Sequence, residues 1–191
     1  MAERVNRREL IINTAFELFL KQGYATTSVR QIAEAVGVTE AALYYHFKDG
    51  KRELLREVFE CEMPDMVEML DGCAKAESFA CLVHTLGEEL STKMMPRLDS
   101  FRWIMTEFPN MDIEEKALFH DKQMLFHNRL TEIVAGFVPS EKAEAISWLI
   151  SLSLFGYAQM FLHMEVNKVS DFSPEDMIQT LSGALSAYIK T

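Results

Sequence analysis

The chain has 191 residues, 49% of them hydrophobic and 25% charged, enough to bury a real core in one or two domains. A formal net charge of −10 argues against a body that binds polyanions over its whole surface, but the charge is unevenly spread: residues 1–59 hold nine Lys/Arg against eight Asp/Glu, and residues 60–191 hold ten against 21. Only the N-terminal part is fit to approach nucleic acid, and its weak charge demands a few placed contacts made by two copies acting together.

The start, MAERVNRREL, is charged and runs straight into a helical pattern rather than a signal-peptide core, so a cytoplasmic setting with no membrane anchor is expected. Helical period puts Ile11, Ala15, Leu18 and Phe19 on one face of a first helix over about 7–22, which ends before Gly23. A second helix, about 28–35, carries Val29, Ile32, Ala33 and Val36 as its stripe. Thr27 or Ser28 caps it, and Gln31, three residues after Ser28, completes a capping box. Gly37 supplies the φ > 0 backbone of a tight turn, and Thr39 caps a third helix over 40–46 whose inner residues are Val38, Ala42 and Leu43. The small Ala33 lets these two helices cross closely, and the whole reads as a helix-turn-helix.

What faces outward decides the chemistry. Thr39, Glu40, Ala41, Tyr44, Tyr45 and His46 fit a recognition helix whose first residues meet base edges in a major groove. The tyrosine hydroxyls, His46, Lys48, Lys51 and Arg52 are candidates for holding phosphates, which positions a protein without specifying sequence. A fourth helix, KRELLREVFECEM, opens at Gly50-Lys51 and is kinked or ended by Pro64; it is the connection through which a shift in the body would tilt the motif.

From about 65 to 138 the pattern stays helical, with breaks near 72–78, 95–96 and 109–110. Its dense Met and aromatic residues are mostly core packing. Ala145 to Met164 contains no Asp, Glu, Lys or Arg, yet its serines, Gly156 and Gln159 and the lack of cationic flanks speak against a membrane span. A helix apolar on most faces is expected to be buried on most faces. Ser173-Pro174-Glu175-Asp176 then starts a last helix, capped by Ser173, with Gly183 and Ala187 forming a small surface one turn apart. These two terminal helices are expected to pair with a second copy in a four-helix bundle, through Leu152, Phe155, Gly156, Gln159, Gly183 and Ala187.

Cys61, Cys73 and Cys81 match neither CxxC metal spacing nor a disulfide framework; free thiols are expected, with a redox role left open. His120 and His127 lie two turns apart, so no metal and no cofactor is expected. With no GxSxG, HExxH, P-loop or GxGxxG, the chain is not expected to be an enzyme.

The first 55 or so residues resemble the N-terminal DNA-binding domain of the TetR (tetracycline repressor) family. The resemblance lies in Gly23-Tyr24, Thr26 to Ser28, Ile32-Ala33, Gly37-Val38 and above all Leu43-Tyr44-Tyr45-His46-Phe47 followed by Lys51 and Leu54-Leu55. The connection Lys48-Asp49-Gly50-Lys51 is one residue longer than in many members, which leaves either lysine open as the phosphate contact. The resemblance implies an all-α protein: a three-helix helix-turn-helix DNA-binding domain over 1–50, and a helical effector-binding and dimerisation domain over 51–191 with 51–63 as connector. It implies a homodimer on a palindromic operator, most simply a repressor, released by a small, largely apolar effector. Thr27, Ser28, Tyr44, Tyr45, His46 and Lys48 or Lys51 would then hold the DNA backbone. Arg30 and Thr39, Glu40, Ala41 and Ala42 would read bases, Glu40 by accepting from cytosine N4 or else merely complementing the helix dipole. An effector cavity among the middle helices is implied, for which Phe101, Met105, Phe108, Gln123, Met124, His127, Asn128, Trp148 and Phe155 are the candidates. Two alternatives stay open: an activator, and a helical small-molecule-binding or partner-binding protein that reads no DNA. The intact Tyr44-Tyr45-His46 with Lys51 separates the last from the first.

Overall fold

A computed structural model describes residues 7–62 and 67–190, without the side chains of residues 94, 95, 98, 162 and 163; the kink expected at Pro64 lies outside the described residues. Among the described residues every regular element is helical, as expected of an all-α chain. The chain divides into two compact units, residues 1–64 with 99–119 and residues 65–98 with 120–191. This is not the expected division at residue 50: the connecting helix packs wholly inside the first unit.

The first unit contains α1 (Arg7–Gln22), α2 (Val29–Val36), α3 (Glu40–His46) and α4 (Lys51–Glu62), and from later in the chain α6 (Leu98–Glu107, from Asp99) and the start of α7 (Ile113–Val134). α1 buries Ile11, Ala15 and Phe19 at four-residue spacing, the stripe a 3.6-residue period produces, and Leu18 packs at its edge. Phe19 stacks on Trp103 with ring centroids 5.8 Å apart, and Trp103 also meets Phe16 edge-on and Phe59 at a tilt. Leu54, Leu55, Val58 and Phe59 bury one face of α4 in the same core. Removing one such buried aromatic side chain costs about 3–5 kcal/mol, which is why α4 and 99–119 join this unit.

The second unit holds two short 3-10 turns, Glu68–Leu70 and Cys73–Lys75, then α5 (Phe79–Met94), the remainder of α7, α8 (Ser140–Tyr157) and α9 (Pro174–Lys190). Leu82, Leu86, Leu130, Ile146 and Ile150 form its centre. Ser173 caps α9 as expected: its hydroxyl accepts from the Asp176 N–H at 3.1 Å, and Asp176 returns the bond to the Ser173 N–H at 3.0 Å.

α8 departs from expectation in an instructive way. It is not buried on most faces. Ala143, Ile146, Ser147, Ile150 and Ser151 face the core, while Trp148, Leu149, Leu152 and Phe155 form an exposed stripe. Ser147 tolerates burial because its hydroxyl donates to the Ala143 carbonyl at 2.8 Å. Beyond Tyr157 the chain widens into a π-helical turn, Ala158–His163, so the charge-free run is not one regular helix; no helix among the described residues is long and apolar enough to cross a membrane.

Candidate nucleic-acid interface

The turn between α2 and α3 is built by local bonds. Ser28, in extended backbone, accepts from the Gln31 N–H at 3.2 Å while Gln31 Oε1 accepts from the Ser28 N–H at 2.8 Å, closing the capping box. Gly37 takes φ 76°, and the Val38 N–H reaches back to the Ala33 carbonyl at 2.9 Å. Thr39 Oγ1 accepts from the Ala42 N–H at 3.1 Å and starts α3. Ala33 and Leu43 are buried where the helices cross, and Phe47 is buried where α3 ends.

With Leu43 and Phe47 as anchors, the opposite face of α3 is fixed. Thr39, Glu40, Ala41, Tyr44, Tyr45 and Lys48 are exposed, Tyr45 by 81%; Ala42 and His46 are half-buried. Residues 40, 44 and 48 follow one another at four-residue spacing, and 41 and 45 lie beside them. His46 meets the Tyr45 ring edge-on at 5.4 Å. Tyr44 is seated by Gly50, whose φ is 57°: a Cβ there would come within 2.9 Å of the Tyr44 ring. In the sequence Gly50 reads only as a helix opener; its apposition to Tyr44 reveals its role.

Several expected DNA contacts are occupied internally. Thr27 is 2% exposed; its hydroxyl donates to the Gly23 carbonyl at 2.8 Å and accepts from Gln22 Nε2 at 3.1 Å, so it locks the turn rather than facing outward. Lys51 Nζ donates to the Tyr24 carbonyl at 2.9 Å and lies 4.3 Å from the centroid of the Tyr24 ring. Burial pulls its pKa below the ordinary lysine value, opposed by Glu115 and Glu107. Arg52 pairs with Asp112 at 2.8 Å and with Glu114. Arg30, well exposed, pairs with Glu34 at 2.8 Å, an i,i+4 pair at the surface that is readily exchanged for a stronger anion. Lys48 is exposed and makes no ion pair among the described residues. Ser28 stays exposed at the start of α2.

The effector candidates fall in both units. In the first, Phe101 is buried and Met105 and Phe108 pack against the core, Phe108 edge-on to Phe119 at 5.2 Å. In the second, Met124, His127, Asn128 and Trp148 are brought together: with Thr131 and Glu144 they line a cleft of 210 Å³ between α7 and α8. His127 stacks on Trp148 at 3.8 Å, and its Nδ1 is buried without a hydrogen-bond partner. Burial pushes its pKa down, against the pull of Glu144. Gln123 is half-buried, and Phe155 is exposed farther along α8.

Of the expected dimerisation residues, Leu152 and Phe155 are exposed on α8, and Gly183 and Ala187 on α9. Gly156 and Gln159 are half-buried, and a Cβ added at Gly156 or Gly183 would meet nothing within 4 Å. Trp148, Leu149 and Tyr188, not singled out by the sequence pattern, extend these faces. The cysteines form no disulfide among the described residues. Burial pushes the Cys73 thiol up to about 11 and raises Cys61 as well, the reverse of what a reactive thiol requires.

Comparison with known proteins fits this geometry. Residues 11–58 match the family described as bacterial regulatory proteins, tetR family. The chain is 44% identical over 134 residues to TtgW of Pseudomonas putida, an uncharacterized HTH-type transcriptional regulator, covering 70% of this chain and 95% of that one. It is also 44% identical over 134 residues to the HTH-type transcriptional regulator SrpR of Pseudomonas putida, covering 70% of this chain and 60% of SrpR. It spans between 31% and 63% of the length of SrpR and of other curated relatives it matches. A crystal structure of a TerR/AcrR-family transcriptional regulator from Aquifex aeolicus VF5 shares the fold at a TM-score of 0.64 and 20% identity, covering 96% of this chain and 99% of that one. By residues 11–58 and by its match to nearly all of TtgW, this chain belongs to the tetR family of bacterial regulatory proteins.

Proposed function

We propose that this chain is a homodimeric, DNA-binding transcriptional regulator of the reducing cytoplasm, a repressor that leaves a palindromic operator when a small, largely apolar effector binds. One observation carries the reading. Leu43 and Phe47 anchor α3 so that Glu40, Ala41, Tyr44, Tyr45 and Lys48 form an exposed face next to the N-cap Thr39, the arrangement a major-groove reader requires. Arg30 and residues 39–42 read bases; Ser28, Tyr44, Tyr45 and His46 position the backbone. The phosphate contact left open between two lysines falls to Lys48, since the Lys51 ammonium is engaged by the Tyr24 carbonyl and ring. Functionally, residues 1–50 are the reader, and 51–191 carry the effector cleft by His127 and Trp148 and the apolar faces of α8 and α9 that a second copy covers.

The test is selection of bound duplexes from a random pool by the purified protein. An enriched inverted repeat, with half-sites one helical turn or a multiple apart and affinity falling steeply with salt, is expected. A pool that stays unenriched, with only weak binding that salt abolishes, overturns the reading.

A further inference from the structure

The loop that delivers the chain from α1 to the capping box is held at one residue. Tyr24 is almost wholly buried, and each of its polar atoms is taken by a different element. Its N–H donates to Glu107 Oε2, near the end of α6, at 3.2 Å. Its carbonyl accepts from Lys51 Nζ of α4 at 2.9 Å and from the Thr27 N–H at 3.2 Å. Its hydroxyl donates to Glu115 Oε1, in the first turn of α7, at 2.5 Å. Glu115 is itself buried, and its other oxygen accepts from the Asp112 N–H at 3.0 Å. Arg52, beside Lys51, closes the ring by pairing with Asp112 and Glu114. Ser28, the N-cap of α2, follows Tyr24 by only one turn's length of chain. Little slack remains between Glu115 and the motif.

We infer that Tyr24 is a positioning residue for DNA reading: the Tyr24–Glu115 bond fixes the loop that seats α2 and α3, so that the start of α7 controls the presentation of the reading helix without passing through α4. The inference rests on the DNA-binding reading above. It differs from a lever made of α4 alone, because α7 here grips the loop directly. α7 is also the helix that carries Met124, His127 and Asn128 of the cleft. A buried carboxylate that loses its donor has a strong preference for the bonded arrangement, so the bond behaves as a latch with two states rather than as a soft spring.

The experiment uses the full chain, the duplex selected by wild-type protein, and Tyr24→Phe, Glu115→Leu and the double variant, with Ile146→Val in the second unit as a destabilised control. Binding is followed at a temperature where all are folded, together with hydrogen exchange of the amides of residues 23–28. Tyr24→Phe is expected to weaken binding about five- to tenfold, the worth of one charge-assisted bond, and to speed exchange in the loop. In the Glu115→Leu background the same change should cost less than about twofold, and Ile146→Val should move neither readout. Unchanged affinity or exchange in Tyr24→Phe, or an equal loss in both backgrounds, overturns the inference. Failure of the wild type to select any duplex would overturn the DNA-binding reading alone, and the exchange rates would still decide whether the latch holds the loop.

Discussion

The exposed faces of α3 and α8 both display aromatic rings, and the difference between them separates a surface built for water from one built to lose it. On α3, Tyr44 and Tyr45 carry hydroxyls and stand among Thr39, Glu40, His46 and Lys48, so each ring brings a polar tip to a wet, charged partner. On α8, Trp148, Leu149, Leu152 and Phe155 follow each other without a charge among them, and Leu152 is 60% exposed. Such a stripe is stabilised only when covered. The same protein thus carries one face for DNA and one for a copy of itself, told apart by what surrounds the rings rather than by the rings.

The largest expected effect is on the apolar face. Leu152→Glu would bury an unpaired charge at the centre of the pairing surface and should shift dimer to monomer with about a hundredfold loss in association, measured by light scattering across concentration. A variant that stays dimeric would mean that α8 is not the pairing face. On the other face, Tyr45→Ala should weaken binding to the selected duplex about tenfold while the mass of the particle stays the same. Equal binding would remove Tyr45 from the reader.

The two lysines sharpen the comparison within the first unit. Lys48→Gln should lower the slope of log affinity against log salt by about 1, the signature of one lost phosphate contact, and leave melting unchanged. Lys51→Gln should leave that slope alone and cost about 1 kcal/mol of stability through the lost bond to the Tyr24 carbonyl. The reverse pattern would return the phosphate contact to Lys51.

The smallest effect is a pH dependence in the second unit. His127 titrates below its ordinary value because burial disfavours its charge, with Glu144 pulling the other way. As pH falls, the unfolded chain takes up that proton first, so the stability present above pH ~6.5 should decline below it. His127→Gln should flatten that part of the curve. Identical melting profiles in both proteins, followed from about one pH unit above to about one below the value of free histidine, would mean that His127 is not held neutral in the cleft.

What could be read from the sequence was what local bonds decide. The capping box of Ser28 and Gln31, the cap at Thr39 and the left-handed Gly37 each involve residues three or four apart, and each stands where the pattern put it. Thr27 and Lys51 were legible as residue types suited to DNA, but their partners were not. Lys51 meets a carbonyl 27 positions away, and the Tyr24 hydroxyl meets a carboxylate 91 positions away. No period encodes such pairings. α8 shows a second limit: with apolar residues on every side, its hydrophobic pattern could not say that Ser147 and Ser151 face in and Leu149 and Leu152 face out. The core chose the side with small residues and left the bulky ones outside. Likewise α4 reads as a connector, and only its contact with Trp103 places it in the first unit.

The central claim is that the exposed face of α3 meets DNA, and hydrogen exchange of the full chain with and without the selected duplex tests it most directly. Slowed exchange concentrated in residues 39–48 and at the start of α2, with α8 and α9 unchanged by duplex, is the predicted result. Protection that falls on α8 and α9, or spreads evenly over both units while 39–48 exchange as before, would contradict it.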